Sequence, residues 1–397
     1  MNYLCGMAKY IIILLALIVA FLDYKAYKKL VKKNASTTLR KSFISIVSFS
    51  YIILLSSPIL MFTLSNEQNN RSMMILSMII LTAYIVFAVT RIIFYIFWLP
   101  AKNKYWTYTG IVLSLFTMVT FLYGIFITRT DYEVKNVKVS FNNIPESFNG
   151  YKIAFISDIH IGSMLNVEEE LRKVVELIND SDADILLFGG DLVNIYSSEL
   201  NKEILDILST VKCPDGVFAV LGNHDTGAYT KEATPASQEQ NRVCLSESLS
   251  TIGWVMLRDS TVYIKQGSDS IAVTGIDYSD ELLEHKHSLD VIDDFDVSKV
   301  YNNVPDETFN ITISHLPQLW KVLYEGNYSD LTLSGHIHAM QIKYFSLSPA
   351  MFLYSNWSGL YENSKGKQYI TDGIGSVAFM ARFGARPEIT LIELCKE

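Results

Sequence analysis

Four long apolar runs in the first third of the chain constrain the fold more than any other feature. Each reaches about 20 residues, the length that a helix needs to cross the hydrocarbon core of a bilayer. We therefore expect the 397-residue chain to form a four-helix transmembrane region over residues 1–130 and a separate domain over residues 131–397. The predicted spans are approximately Leu4–Leu22, Phe43–Leu64, Met73–Leu99 and Tyr105–Ile127.

The distribution of charge supports the same division. Residues 1–131 carry thirteen Lys and Arg against three Asp and Glu, whereas the rest of the chain carries twenty against thirty-eight. Nucleic-acid backbones recruit Lys and Arg, so the acidic second part is not expected to bind nucleic acid. The four cysteines have neither CxxC nor Cys/His finger spacing. Isolated thiols are the favoured interpretation, with a Cys213–Cys244 disulfide as the alternative.

The loops between the spans predict the orientation. The first loop holds seven Lys and Arg, the second holds one, and the third holds two. Basic loops stay in the cytoplasm, so both termini and the domain after Thr130 are expected outside it. The first run has no small-residue cleavage site and is followed by Lys25, which favours a retained helix over a signal peptide. Transporters usually carry several ionisable groups at membrane depth, whereas Arg91 is the only clear candidate in these runs and lies near a helix end. The helices are therefore expected to be an anchor or docking platform, with a lipid-access role as the alternative.

The second domain alternates apolar strands with helical segments and then becomes mostly strands. Residues 132–141 alternate as an edge strand would, Ile153–Ile156 is a short apolar strand, and Val167–Ile178 has helical spacing. This order predicts an α/β fold whose two sheets pair into a β-sandwich flanked by helices.

Polar residues follow five of these apolar strands at their ends. The endings are ISDIH, FGGD, LGNHD, ISH and SGHIH, and they contain five of the seven histidines. In open α/β sheets, ligands bind at the carboxyl ends of strands. Residues two apart on an extended segment point the same way, so Asp158 with His160, and His336 with His338, can each aim at one point. The other two histidines, His285 and His287, lie in a polar stretch and are expected to be exposed.

The residue types at these strand ends are those of a metal site. Imidazole and carboxylate without thiolate suit Mn, Fe, Zn or Ni. Seven candidate ligands exceed one tetrahedral site and fit two metals that share a carboxylate. Each motif alone is weak, because D-x-H is common and GD is an ordinary turn signal. Their order and their placement at successive strand ends favour a dimetal centre.

This ordered set resembles the calcineurin-like metallophosphoesterases. The motifs are DIH (Asp158–His160), GD (Gly190–Asp191), GNHD (Gly222–Asp225), SH (Ser314–His315) and GHIH (Gly335–His338). The C-terminal stretches YITDGIGS and FGARPEITLIEL resemble the membrane-anchored bacterial branch of that family, which includes phosphodiesterases and enzymes that cleave UDP-2,3-diacylglucosamine.

The resemblance implies a role for each motif residue. Asp158, His160 and His338 would hold the first metal. Asn223, His315 and His336 would hold the second, and Asp191 would bridge the two. His224 would stabilise or protonate the leaving oxygen, with Asp225 orienting its ring. The implied reaction is hydrolysis of a phosphoester by a metal-activated hydroxide. The membrane region extends the expected substrates to lipid-linked phosphoesters.

The residues after the last motif histidine depart from the family pattern. Relatives usually carry a glycine pair after the last motif histidine, whereas this chain has Ala339–Met340. This pair is expected to narrow the edge of the pocket or to shift substrate preference without affecting metal binding.

The apolar stretch YFSLSPAMFLYSNWSGLY is expected to be ordinary core, with a wall for acyl chains as the alternative.

Two rival functions stay open. One is a pyrophosphatase acting on nucleotide-linked or lipid-linked envelope substrates. The other is a non-catalytic membrane receptor or scaffold on an enzyme fold, against which the complete set of ligand residues argues.

Overall fold

A computed structural model describes residues 2–64, 71–229, 233–279, 282, 292 and 295–397, without the side chains of residues 2–11 and 57–64. His285 and His287, which were expected to be exposed, lie outside the described residues. The chain divides into two compact units. The first comprises Met1–Ile127 with Ala378–Ala381, and the second comprises Thr128–Val377 with Arg382–Glu397.

The first unit contains four long helices among its described residues. They are α1 (Asn2–Lys32), α2 (Thr37–Leu64), α3 (Arg71–Trp98) and α4 (Lys104–Phe126). Within the described part of the chain, three segments are long and apolar enough to cross a membrane: Thr37–Ser56, Arg71–Trp98 and Lys104–Thr130. The first predicted span, Leu4–Leu22, lies within α1, and the side chains of its first eight residues are not described.

A buried ion pair connects the helices of this unit. Arg91 on α3 lies 3.3 Å from the carboxylate of Asp23 on α1. The hydroxyl groups of Tyr95 and Tyr51 donate to the same carboxylate at 2.8 and 3.0 Å. The sequence pattern singled out Arg91 alone, because Asp23 directly follows the first apolar run and precedes its basic loop. A charge inside an apolar bundle needs a partner, and Asp23 supplies it.

The second unit begins with an edge strand and then alternates strands with helices, as predicted. Its described strands are β1 (Glu133–Phe141), β2 (Lys152–Ile156), β3 (Ile185–Phe188), β4 (Val217–Ala219), β5 (Trp254–Met256), β6 (Ser260–Gln266), β7 (Asp269–Ile276), β8 (Asn310–Ser314), β9 (Leu331–Ser334), β10 (Gly359–Asn363), β11 (Gly366–Ile370) and β12 (Glu388–Lys396). Its described helices are α5 (Val167–Asn179), α6 (Lys202–Leu208), α7 (Pro235–Ser250), α8 (Ser298–Tyr301) and α9 (Trp320–Glu325).

These strands form two mixed sheets of six strands each within the described residues. The strand orders are β1-β12-β2-β3-β4-β5 and β10-β11-β9-β8-β7-β6. Strands β2 to β5 run parallel in the first sheet, and β7, β8, β9 and β11 run parallel in the second. The predicted two-sheet α/β fold is therefore confirmed, and β1 lies at the edge of its sheet as expected.

The apolar core explains why the polar residues appear only at strand ends. Phe155 and Leu187 of the first sheet pack in one cluster with Ile311 and Leu333 of the second. The opposite face of the first sheet packs against helices such as α5, which contributes Val174. Strands buried on both faces are continuously apolar, so functional side chains can begin only where the strands end. Cys213 and Cys244 are free thiols in this structure.

Candidate metal centre

The loops that follow β2, β3, β4, β8 and β9 bring all seven predicted ligands together. Six of these residues are buried, and His336 is partly buried. These residues are Asp158, His160, Asp191, Asn223, His315, His336 and His338. The ligand atoms of the aspartates and histidines form overlapping groups of three, and within each group all atoms lie within 4.8 Å of one another.

The first group consists of Asp158, His160 and His338. His338 Nε2 lies 3.0 Å from Asp158 Oδ1 and 3.3 Å from His160 Nε2. His160 and Asp158 are fully buried. One carboxylate oxygen and two ring nitrogens therefore converge on a single point, as the resemblance implied.

The second group consists of Asn223, His315 and His336. Asn223 Oδ1 lies 3.0 Å from His315 Nε2 and 2.8 Å from His336 Nδ1. The N–H at Nδ1 of His315 donates to the carbonyl oxygen of Gly189 at 2.8 Å. Because a carbonyl oxygen only accepts, this contact fixes the tautomer and directs Nε2 toward the other ligands.

Asp191 lies between the two groups. Its Oδ2 is 3.2 Å from His315 Nε2 and 3.7 Å from His160 Nε2. Its Oδ1 accepts the backbone N–H of His224 at 2.7 Å. One carboxylate thus faces ligands from both groups.

Five of the seven residues adopt a left-handed backbone conformation. The φ angles are 56° at Asp158, 48° at His160, 59° at Asp191, 74° at His336 and 54° at His338. The residues two apart in sequence were expected to point the same way because they would lie on an extended segment. This expectation is wrong, because the backbone turns at each of these ligands. Positive φ is uncommon outside glycine and costs about 1–3 kcal/mol per residue, a strain that clusters at functional sites.

Two of the motif glycines are required by close packing at the site. A Cβ at Gly335 would overlap Asp158 Oδ2 and Ser157 Oγ. A Cβ at Gly222 would overlap Asp191 Oδ1. The missing side chains allow the loops to approach the carboxylates.

The electrostatic balance keeps the two carboxylates charged. Burial raises the pKa of Asp158, but the imidazoles of His338, His315 and His160 together outweigh it and hold this pKa well below its usual range. Burial likewise opposes ionisation of Asp191, and the imidazoles of His315, His224 and His160 together lower its pKa. Burial lowers the pKa of His315, but the carboxylates of Asp191 and Asp158 and the hydrogen bond to Gly189 together outweigh it and raise this pKa to about 9. Ionised carboxylates in a buried pocket create a site that favours cations.

The ring of His224 is oriented by Asn194 and Tyr229. Its Nδ1 lies 2.7 Å from the carbonyl oxygen of Asn194 and must donate to it. The ring stacks on Tyr229 with 4.3 Å between centroids. This geometry leaves Nε2 for another partner.

Asp225 does not orient the ring of His224, which corrects the prediction. Its carboxylate accepts the backbone N–H groups of Asp191 at 2.7 Å and Gly222 at 2.9 Å. It also accepts those of Leu192 and Val193. The turn after β4 points the carboxylate back under the loop after β3, so Asp225 positions Asp191 instead.

Comparison with known proteins identifies the domain. Residues 151–340 match the family model described as calcineurin-like phosphoesterase. The second unit contains a calcineurin-like metallophosphoesterase domain. Residues 151–340 are thereby assigned to a family of phosphoesterases, which are hydrolases.

Relatives of the phosphoesterase domain include membrane proteins. A zebrafish (Danio rerio) transmembrane protein with metallophosphoesterase domain is 28% identical over 292 residues, which are 72% of this chain and 62% of that protein. The chain thus spans less than two thirds of this relative. The metallophosphoesterase YkuE of Bacillus subtilis is 27% identical over 278 residues, 68% of this chain and 85% of that protein. The metallophosphoesterase Cj0846 of Campylobacter jejuni is 27% identical over 390 residues, 93% of each chain.

The residues of the phosphoesterase domain fit a pair of divalent cations. His160 Nε2 and His338 Nε2 face each other at 3.3 Å, and His315 Nε2 and His336 Nδ1 do the same at 3.3 Å. Ring nitrogens and carboxylate oxygens that bind one cation each lie about 2.0–2.2 Å from it. Two ring nitrogens on the same cation therefore lie close to each other, as the nitrogens of these two pairs do.

Sequence reasoning missed a buried arginine behind the site of the phosphoesterase domain. Arg382 is fully buried and donates to the carbonyl oxygens of Gly375, Asp372 and Ala385. Its Nη2 lies 3.5 Å from His338 Nδ1. Arg382 lies between the two C-terminal stretches that supported the resemblance. An arginine in a loop carries no pattern that predicts burial. Asn194 was missed because it acts through its backbone, where residue type gives no signal.

Proposed function

We propose that the protein is a membrane-anchored dimetal phosphoesterase that hydrolyses a phosphodiester or phosphomonoester outside the cytoplasm. The observation that carries the proposal is the position of Asp191 between two groups of ligand residues. A single structural cation would need neither the second group nor a shared carboxylate.

In this proposal, Asp158, His160 and His338 hold one cation, and Asn223, His315 and His336 hold the other. Asp191 contacts both. When bound, such a pair of cations supplies Lewis acidity at the phosphoryl oxygens and lowers the pKa of water toward neutrality. The contact of His315 with Gly189 supports this arrangement, because it fixes a ligand tautomer.

His224 is proposed to protonate or stabilise the leaving oxygen through Nε2. Its Nδ1 is committed to Asn194, so proton exchange is confined to the opposite side of the ring. Asn194 and Asp225 are positioning residues in this scheme. Asn194 sets the plane of the ring, and Asp225 holds the loop that carries Asp191.

The anchor is proposed to consist of four spans, including Leu4–Leu22, with the boundary between anchor and enzyme near residue 130. The positive charge of loops one and three supports a location of the domain outside the cytoplasm. A C-terminal alkaline phosphatase fusion should be active and a C-terminal green fluorescent protein fusion should be dark. The opposite pattern would place the catalytic domain in the cytoplasm.

The function is tested by elemental analysis of the purified full chain together with assays on three substrates. These are a phosphodiester, a phosphomonoester and a lipid pyrophosphate. Two metal ions per chain with turnover of either of the first two esters supports the proposal. Turnover of the pyrophosphate alone would assign the rival pyrophosphatase function. A metal-free protein that stays inactive with added Mn²⁺ or Zn²⁺ would point to a receptor or scaffold.

A further inference from the structure

An exposed apolar loop lies close to the metal centre in sequence and in space. We call residues 344–353 the rim loop. Phe345 is fully exposed, Phe352 is 83% exposed and Leu347 is 62% exposed. The expectation that this stretch is ordinary core holds for Ala350 and Tyr354, which are buried, and is wrong for these three side chains. Large exposed apolar groups in a cluster mark interaction surfaces.

The backbone of the rim loop is held in a defined turn. Tyr344 and Leu347 exchange two backbone hydrogen bonds of 3.0 Å each. Phe345, in the turn between them, has a φ of 56°. A bulky residue in the left-handed region is an outlier, and such strain points toward function. The fold therefore displays the most exposed aromatic side chain at the tip of a tight turn.

The base of the rim loop packs on the residue between two predicted ligands. Ile337, which lies between His336 and His338, forms one apolar cluster with Ala350 and Tyr354. The hydroxyl of Ser348 donates to the carbonyl oxygen of Ala339 at 2.7 Å. The loop thus starts from the same turn that positions two imidazoles, so whatever it binds is brought next to the metal centre.

The charge of the rim loop suits a lipid surface. From residue 341 to residue 361 the chain has one charged side chain, Lys343, and no acidic one, within a domain that is otherwise strongly acidic. The ammonium of Lys343 is paired with Asp372 at 2.7 Å, so the rim loop presents uncharged apolar side chains. Aromatic and aliphatic side chains are favourable at the boundary between headgroups and acyl chains.

The connection to the membrane region is short. Helix α4 ends at Phe126, and Arg129 already forms a buried bidentate pair with Glu170 inside the phosphoesterase domain. The two residues between them span less than about 10 Å even when extended. A domain tethered this closely to a spanning helix has a bilayer within reach at high effective concentration.

We infer that the rim loop inserts into the bilayer surface and that the substrate is a phosphoester of a membrane-embedded amphiphile. This inference rests on the proposed phosphoesterase function for its substrate class, but the insertion itself can be measured without any turnover.

Insertion is tested on the full chain in vesicles of phosphatidylcholine and phosphatidylglycerol. Phe352→Cys is labelled with an environment-sensitive fluorophore in a background where the native cysteines are replaced by serine. The matched control is Val255→Cys, an exposed apolar position on β5 that is 43% exposed. Spin-labelled lipid should quench the label at 352 at least several-fold more than the label at 255. Equal quenching would overturn the inference. A blue shift without lipid quenching would also overturn it, because the loop would then be covered by protein.

The substrate class is tested by comparing two phosphodiesters, one embedded in the vesicles and one small and soluble. The triple variant Phe345→Ser, Leu347→Ser and Phe352→Ser should lower turnover of the embedded ester relative to the soluble ester by about 10-fold or more, since removing even one large buried apolar group has an effect of that order. An unchanged ratio would overturn the inference while leaving the phosphoesterase function intact. If the wild type cleaves neither ester, the proposed function fails, and the quenching experiment still decides whether the loop inserts.

Discussion

The Nε2 atoms of His160 and His338 face each other at 3.3 Å inside a buried pocket. Each ring also faces a carboxylate, Asp191 for His160 and Asp158 for His338. Moreover, His160 Nδ1 is buried and meets no hydrogen-bond partner among the described residues. A buried polar cluster of this kind is costly unless its members are satisfied. A cation between the rings would satisfy both lone pairs at once.

The first prediction is that chelation destabilises the phosphoesterase domain. A metal present at 100 times its dissociation constant stabilises the folded state by about 2.7 kcal/mol, which corresponds to roughly 5–10 °C in melting temperature for a domain of this size. Differential scanning calorimetry of the detergent-solubilised chain with and without EDTA measures the shift. Adding back Mn²⁺ or Zn²⁺ should restore both stability and turnover. Identical melting curves would speak against a built metal site.

The second prediction concerns the shared carboxylate. Asp191→Asn keeps an oxygen that can accept the backbone N–H of His224 but removes the charge that both cations would share. Turnover should fall by more than about 100-fold, beyond the range seen when residues that merely support ligands are changed. Membrane fractionation should be unaffected. Asp182→Asn is the matched control, because Asp182 is exposed and also has a positive φ. Near-normal hydrolysis by Asp191→Asn would refute its role as a bridge.

The third prediction separates proton transfer from metal binding at His224. His224→Ala should retain both metals and slow cleavage by about 10²- to 10⁴-fold, the range for loss of a general acid. The deficit should be larger for an alkyl phosphoester than for a 4-nitrophenyl ester, whose leaving group needs little protonation. Metal content by elemental analysis is the second measurement. His224 lies in one group with His160 and Asp191, so a variant that loses metal would make His224 a ligand.

That the seven candidate ligands lie close together could be predicted from the sequence, because strand-end motifs depend on residue type. Asp158, Asp191 and His315 each follow an apolar run that is buried on both faces, and such runs place polar residues at one edge of the sheet. Pairing of the two sheets also followed from the order of the strands. The sequence could not predict the backbone conformation of the ligand residues. A left-handed φ at Asp158 or His338 does not change the spacing of the motif residues along the chain.

The sequence also could not predict the roles that depend on backbone atoms. Asn194 orients His224 with a carbonyl oxygen that every residue possesses. Asp225 was given the wrong partner because its position next to His224 in sequence suggested contact, whereas the turn directs its carboxylate to backbone N–H groups 32–34 residues away. Exposure of Phe345 was missed for a similar reason, because an apolar residue is normally core.

The fourth prediction uses the glycine before the paired histidines. Gly335→Ala places a methyl group against Asp158 Oδ2 and Ser157 Oγ, so the loop after β9 must move and metal affinity should drop by about 10–100-fold. Gly267→Ala is the control. Gly267 has a φ of +63° with nothing within 4 Å of an added Cβ, so that variant should lose only about 1 kcal/mol of stability. Competition with a fluorescent chelator measures the affinity. Equal metal binding by both variants would contradict the close approach.

The fifth prediction concerns the pair that stands where relatives usually have two glycines. Ala339 and Met340 have φ values of 49° and 51°, so the backbone keeps a conformation that glycine adopts without strain. Relief of about 1–2 kcal/mol at one residue exceeds the entropic cost of about 0.5–1 kcal/mol for a new glycine. Ala339→Gly should therefore stabilise the domain by roughly 0.5–1 kcal/mol in chemical denaturation, with unchanged metal content. Ala350→Gly, at an equally buried alanine outside the left-handed region, should destabilise it by a similar amount. If both variants lose stability alike, the turn after His338 is not strained at Ala339.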